Sequence, residues 1–556
     1  MKRDTTNGGI EDHKSGAIAN LDNLYRIFTV PETPYSTLGK IDREISQNLT
    51  GFLRQHIVAH EQDLAKIEKE FSNPEIPEQP TFVSDYTHFL MDTLVAQSVN
   101  TAAPGFVGHM TSALPSFMLP LSRIMTALNQ NLVKIETSKA FTPLERQVLG
   151  MLHHLVYQRD TGYYGKWMHN RDAALGAFCS GGTVANITAL WAARNNLFPA
   201  TKGFAGVAQE GMHRALRFYD CRDVAVLISR RGHYSFGKAA DVLGIGRQSL
   251  IAIDTDSNNR IDMRKLRDSC RRLNQQGVRI LSLVGIAGTT ETGNVDPLAD
   301  ISELAQEYQC HFHVDAAWGG PTLFSERYGR LLDGVSLADS VTIDAHKQLY
   351  VPMGAGMVLF KNPTSLSSIE HHAEYILRRG SKDLGSHTLE GSRPGIAMLV
   401  HSALQIIGRK GYELLIDQGI EKACEFAELI EADADFELIT RPELNLLTYR
   451  YVPPELQRRL RNASSKERES INKALNKITR RIQKLQRAAG RTFVSRTRLE
   501  PKRYGGQLIT VFRVVLANPL TTMDTMHEIL EEQRAIAASN KKIVQHLAKL
   551  LQRIAA

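Results

Sequence analysis

Cysteine is scarce in this chain: Cys179, Cys221, Cys270, Cys310 and Cys424 are odd in number and stand at least 40 residues apart. That spacing excludes a disulfide framework and a CxxC zinc or redox site, and it points to reduced thiols in the cytoplasm. No uncharged apolar run approaches the ~18 residues that a membrane span needs, the longest candidate lying near residues 280–287. The opening MKRDTTNGGIEDHKSG has two early cations but no apolar stretch behind them, so no secretory signal is expected. Internal repeats and low-complexity tracts are absent too. What is present is globular material: 556 residues, 42% hydrophobic and 23% charged, enough for a sizeable core and several domains.

The net charge of +8 raises the question of a polyanionic partner, and the location of the charge answers it better than the sum. Residues 456–503 carry 16 Lys or Arg against three Glu, a local +13, which leaves 8 − 13 = −5 for the remainder. Within that segment Ile471, Leu475, Ile478, Ile482 and Leu485 recur at helical spacing, opened by Ser464 with Glu467 and closed at Gly490. An amphipathic helix with a solvated basic face is expected there. Nucleic acid is not the expected partner, because no aromatics interleave with the cations.

Helix is expected around residues 41–71, followed by the Pro-rich SNPEIPEQP and then by a helix capped at Thr142 with Pro143 in its first turn. Beyond it, VAVLIS, ILSLVGIAG, CHFHVDAAW, SVTIDA and GMVLFK alternate with helical patterns. Such alternation predicts an α/β fold with a mainly parallel sheet, in which ligands bind beyond the carboxyl ends of the strands. From about Ile396 a long helix leads to LNLLTYRY, RTFVSRT and LITVFRVVLA, a smaller C-terminal α+β domain.

Four constellations fall at strand ends. In CHFHVDAAWGG, alternation puts His311, His313 and Asp315 on one face. A metal triad is one reading, but three ligands on one strand spread over about 13 Å at ~3.3 Å per residue. In the other reading Asp315 alone faces a ligand and needs a cationic partner. Lys347, ending SVTIDAHK, can form a Schiff base if its amine is made nucleophilic. The run Ser180-Gly181-Gly182-Thr183 before the helical ITALWAARN offers amides and a helix N-terminus to a phosphate. His233, in GHYS, places an imidazole at a further strand tip. One ligand accounts for all four: pyridoxal 5'-phosphate.

The runs SGGTVAN, GHYSFGKAADVLGIG, AGTTETGNVDP, HVDAAWGG, SVTIDAHK with Pro352 downstream, and VFRVVLANP resemble, in order, the motifs of the group II pyridoxal-phosphate-dependent amino-acid decarboxylases, over roughly residues 100–520. The resemblance implies a fold-type I transferase architecture: an N-terminal, dimer-wrapping extension over 1–135, a large cofactor-binding domain over 136–395 and a small domain over 396–556. It implies a cytoplasmic homodimer with shared active sites, a small-molecule amino-acid substrate and no metal. Lys347 is then the Schiff-base lysine, Asp315 the partner of the pyridine nitrogen, and His233 the imidazole stacked on the ring. Ala317 lies on the other ring face, Gly182, Thr183 and His346 bind the phosphate, and Thr289 sits near the cofactor. Arg513 matches an arginine that holds the substrate α-carboxylate, and His109 a substrate-contacting position.

Whole-chain similarity favours the bacterial members that convert L-aspartate to β-alanine, a precursor for coenzyme A; glutamate, cysteine sulfinate and diaminobutyrate are the alternative substrates. A basic nucleic-acid-binding protein and a scaffold pseudoenzyme are the alternatives of another class. Asp344-Ala345 replaces the asparagine-proline of the animal enzymes. The segment RRGSKDLGSHTLEGSRPG has no tyrosine where those enzymes carry their proton donor, which leaves Tyr375, Lys382, His387 and Tyr350 as candidates. Arg393, in GSRPG, either approaches the cofactor or caps a helix.

Overall fold

The computed structural model describes residues 36–373 and 380–555. Seven strands form the larger sheet: β1 (Gly176–Cys179), β2 (Asp223–Ser229), β3 (Leu250–Ile253), β4 (Val278–Ile286), β5 (His311–Asp315), β6 (Ser340–Asp344) and β7 (Gly356–Phe360). Their order is β1-β7-β6-β5-β4-β2-β3. Strands β3, β2, β4, β5 and β6 pair in parallel, whereas β7 runs antiparallel to both β6 and β1. The near-continuous apolar runs follow from burial on both faces, with every residue of β1, β6 and β7 buried. Strands β1 and β3, each four residues long, go beyond the sequence expectation, because so short a run carries no alternation to read.

A second sheet, β8 (Phe436–Thr440), β9 (Leu446–Tyr451), β10 (Ser495–Leu499) and β11 (Ile509–Val515), is wholly antiparallel in the order β10-β11-β9-β8. The helix Ala397–Ala432 joins the two units, bending at Gly408 where φ is 68°. Its earlier turns pack into the core of the large sheet through Leu399, Val400 and Ile416, and its later turns into that of the small sheet through Phe426 and Ile430.

The basic segment forms the helix Ser465–Ala489, capped by Ser464 and ended by Gly490 in the left-handed region. Ile471, Leu475, Ile478 and Ile482 face the core while Lys473, Lys477, Arg480 and Lys484 face solvent. The N-terminal helix departs from expectation: residues 41–71 break into Thr37–Leu53 and Leu64–Glu70. Between them Val58 and Ala59 donate their amides to the Gly490 carbonyl, a tertiary contact that draws the chain out of helix. The helix expected from Thr142 begins at Phe141, because Ser138 supplies an extra turn through its carbonyl to Phe141 and its hydroxyl to Thr142. No helix among the described residues is long and apolar enough to cross a membrane.

Candidate active site

A cleft of about 340 Å³ opens at the carboxyl ends of β2, β4, β5 and β6. Its floor begins where β1 turns through Ser180-Gly181 into the helix Gly182–Leu197, whose first residues, Gly182 and Thr183, line the cleft. The turn is closely packed: a Cβ on Gly182 would stand 2.8 Å from Asp344 Oδ2, and one on Gly356 2.5 Å from the Gly181 Cα. Backbone amides at the start of a 16-residue helix suit a phosphate.

Asp315 ends β5 with its carboxylate buried and held from two sides. Oδ1 accepts the Ala317 amide at 3.2 Å and Oδ2 accepts Asn186 Nδ2 at 3.1 Å. Lys347 stands just past β6, its Nζ 3.0 Å from Asp344 Oδ2, and Asp344 itself is buried. His346 Nδ1 donates to the Ala355 carbonyl at 3.0 Å, leaving Nε2 turned to Asp344 at 3.6 Å; burial holds this imidazole below 6.5. His233 Nδ1 accepts the Ser235 amide at 3.3 Å and pairs with its hydroxyl at 2.9 Å. Burial lowers the pKa of His233, the nearby Asp315 opposes that shift, and Lys347 adds to it. Ala317 and Trp318 complete this wall.

Arg513 comes from the small sheet. Its Nε donates to the Thr290 carbonyl at 2.6 Å and its Nη1 to the Gly108 carbonyl and Ser495 hydroxyl, each at 3.3 Å, while Nη2 is buried without a partner among the described residues. Burial pushes the guanidinium down to about 10, against the pull of Glu291. His109 lies beside it; partial burial, then the charges of Arg513 and Lys347, hold its imidazole below 6.5. Thr289 is fully buried with its hydroxyl paired to Thr292, and its neighbour Thr290 lines the cleft wall. Sequence reading missed Arg231, which lines the cleft and pairs with Glu291 at 2.8 Å, and gave Asn186 no role. The signal for Arg231 was its place two residues before His233 at the tip of β2.

The candidates that the sequence left open for the proton donor, and Arg393, fall in different surroundings. Tyr350 is buried with its hydroxyl donated to the Ala517 carbonyl at 2.9 Å, so it faces the small domain rather than the cleft. His387 is buried against Ser386 and pushed down to about 4 by burial. Lys382 borders a separate cavity of about 500 Å³ with Pro143, Arg146 and His169. Tyr375 lies outside the described residues. Arg393 forms a buried pair with Glu145 in the helix Phe141–Tyr157, with Nη2 to Oε1 at 2.9 Å, and neither caps a helix nor lines the cleft. His311 and His313 point their ring nitrogens at Ser340 and Asn186, and no cluster of metal-ligating side chains occurs among the described residues.

Buried neutral histidines set an acid limit on the fold. Burial pushes His153 to about 4 and His313 to about 3, from 6.5. The unfolded chain therefore binds more protons below 6.5, so the stability is present in full above that pH and falls as pH drops towards 4. Each such histidine contributes a slope of up to ~1.4 kcal/mol per pH unit. Melting temperature is expected to fall steadily between pH 6.5 and 4.5, and a flat profile would contradict the burial.

The profile of the pyridoxal-dependent decarboxylase conserved domain matches residues 65–452. With a cleft that brings a strand-end lysine, a buried carboxylate, an imidazole and a glycine-lined helix N-terminus together, the chain belongs to the pyridoxal-dependent decarboxylase family and is a carboxy-lyase that works with pyridoxal phosphate. Among its relatives, the aspartate 1-decarboxylase of Aliivibrio fischeri is 59% identical over 532 residues, 96% of this chain and 97% of that one. The aromatic-L-amino-acid decarboxylase of Bacillus atrophaeus is 31% identical across 66% of this chain and 69% of its own. Mouse CSAD shares the fold at a TM-score of 0.78 and 23% identity, covering 90% of this chain and 98% of that one.

Proposed function

We propose that the protein removes the α-carboxylate of L-aspartate to give β-alanine and carbon dioxide. The observation that carries this reading is the 59% identity to an aspartate 1-decarboxylase over nearly the whole of both chains. The cleft supports it: Asp315, Lys347, His233 and the Gly182 amide fit a phosphorylated pyridine aldehyde. The buried Nη2 of Arg513, without a partner among the described residues, is a donor left for a carboxylate.

Bound pyridoxal phosphate supplies an electron sink for the pair left at Cα when carbon dioxide departs. The chain's own residues do the rest. Lys347, its Nζ 3.0 Å from Asp344 Oδ2 at the strand ends, is placed where its amine would hold the aldehyde carbon of the cofactor. The carboxylate of Asp315, fixed by Asn186 and the Ala317 amide, favours a proton on the pyridine nitrogen, since an opposite charge near 4 Å is worth ~4 kcal/mol at an effective dielectric of 20. His233 and Ala317, both lining the cleft, would bracket the ring, and Gly182, Thr183 and His346 would hold the phosphate. Arg513 anchors the substrate carboxylate, with His109 beside it, and so selects which bond at Cα breaks.

Arg513→Lys keeps the charge but loses the planar fork, and kcat/KM for L-aspartate is expected to fall about 10- to 100-fold, the worth of one charged hydrogen bond. An unchanged kcat/KM would move the carboxylate elsewhere. We also propose a cytoplasmic homodimer: Leu64, Phe71, Ile76, Phe82, Tyr86 and Leu119 are exposed in the N-terminal segment, an apolar set that a second copy would cover. Sedimentation is expected to give twice the chain mass, and a monomer at micromolar concentration would refute the pairing. The experiment for the reaction itself is the identification of the amine formed from L-aspartate.

A further inference from the structure

Behind Asp315 a chain of hydrogen-bonding side chains leads out of the cleft. Asn186 spends both hydrogens of Nδ2, one on Asp315 Oδ2 and one on Ser235 Oγ, each at 3.1 Å. Its Oδ1 therefore accepts, and His313 Nε2, 3.1 Å away, carries the proton. His313 Nδ1 is then bare and accepts the Ser340 hydroxyl at 2.8 Å. With its one hydrogen spent, Ser340 Oγ accepts from His311 Nε2 at 2.7 Å. The chain ends at His311, whose side chain is 14% exposed and has Nδ1 3.9 Å from Asp339 Oδ2.

Asn186, His313 and Ser340 are all essentially inaccessible to water. The register explains their meeting: β5 and β6 run parallel with His313 opposite Ser340, so one hydroxyl lies between the two histidines on the same face of β5. A single assignment of hydrogens satisfies every link. The opposite orientation of Asn186 would set its carbonyl against the Asp315 carboxylate and leave His313 facing an N–H.

We propose that His313, Ser340 and His311 are positioning residues for Asp315, locking Asn186 so that its N–H always meets the carboxylate and the carboxylate stays aimed at the ring nitrogen of the bound cofactor. This rests on the cofactor reading of the cleft. The two histidines of the HxHxD pattern thus act through Asp315 rather than as ligands, and the hydroxyl that joins them comes from the next strand.

The test titrates apoprotein with pyridoxal phosphate and follows the visible band of the holoprotein against pH, with the melting temperature as a control for folding. Ser340→Ala, which cuts the chain in the middle, and His311→Phe, which cuts it at the end nearest solvent, are expected to weaken cofactor binding about 3- to 10-fold and to shift the midpoint of the band. Ser340→Thr, which keeps the hydroxyl, is expected to stay within about twofold of the native value. If Ser340→Ala does not fold, His311→Phe makes the same cut nearer the surface. Variants that melt like the native protein and match it in affinity and midpoint would overturn the inference while leaving the cofactor reading intact. A native protein that binds no pyridoxal phosphate would overturn both.

Discussion

Lys347→Ala is expected to remain folded, to lose the visible band of the bound cofactor and to lose turnover by at least about 10²- to 10⁴-fold, the range that one positioned proton-transfer group supplies. The reason is local. Among the described residues Lys347 is the sole lysine lining the cleft at the carboxyl ends of the strands, and its ammonium is paired there with the buried Asp344. Removing it takes away the amine that attaches the cofactor and a group able to move a proton at Cα. Its side chain is 20% exposed, so truncation leaves no sealed void and the melting temperature should change little. Retained turnover with a retained band would mean that another amine holds the cofactor.

The second large effect is expected from Asp315→Asn. The amide is nearly the same size, so the β5 terminus and its packing survive, but the negative charge beside the pyridine nitrogen is lost. At ~4 kcal/mol for a charge near 4 Å and 1.36 kcal/mol per tenfold in rate, kcat should fall by about 10³-fold. Substrate KM should move far less, because the proposed carboxylate anchor, Arg513, is a different residue and keeps its charge. A fall in kcat/KM carried by KM alone would contradict the electrostatic role. The substituted amide would also face the Nδ2 of Asn186, so some loss of cofactor affinity is expected to accompany the loss of rate.

Much of this site was legible in sequence because its parts lie at the ends of strands, where apolar runs give way to small or polar residues. Asp315 followed by Ala316 and Ala317, Lys347 ending SVTIDAHK, and the glycines before the helix Gly182–Leu197 each mark such an end. The basic helix was equally readable, since Ser464 and Gly490 cap it at both ends. What could not be read depends on contacts between distant residues. Residues 54–63 leave helix because the Gly490 carbonyl takes the amides of Val58 and Ala59, and Thr289 turns inward while Thr290 faces the cleft, a choice set by the pairing with Thr292. Tyr350 looked available beside Lys347, yet its backbone adopts φ 56° and sends the hydroxyl to Ala517. The pairing of Arg231 with Glu291 joins the tip of β2 to the loop after β4 across 60 residues, and no local pattern announces it.

The central claim is the conversion of L-aspartate to β-alanine, and the most direct measurement supplies purified, cofactor-loaded protein with L-aspartate and L-glutamate separately while quantifying carbon dioxide and the amine. One methylene separates the two acids, a difference worth ~1 to 3 kcal/mol in a fitted pocket, so a preference of about 10- to 200-fold is the expected scale. The account predicts β-alanine from L-aspartate, at a kcat/KM at least about tenfold above that for L-glutamate. Faster release of carbon dioxide from L-glutamate, or none from L-aspartate with the visible band present, would contradict it.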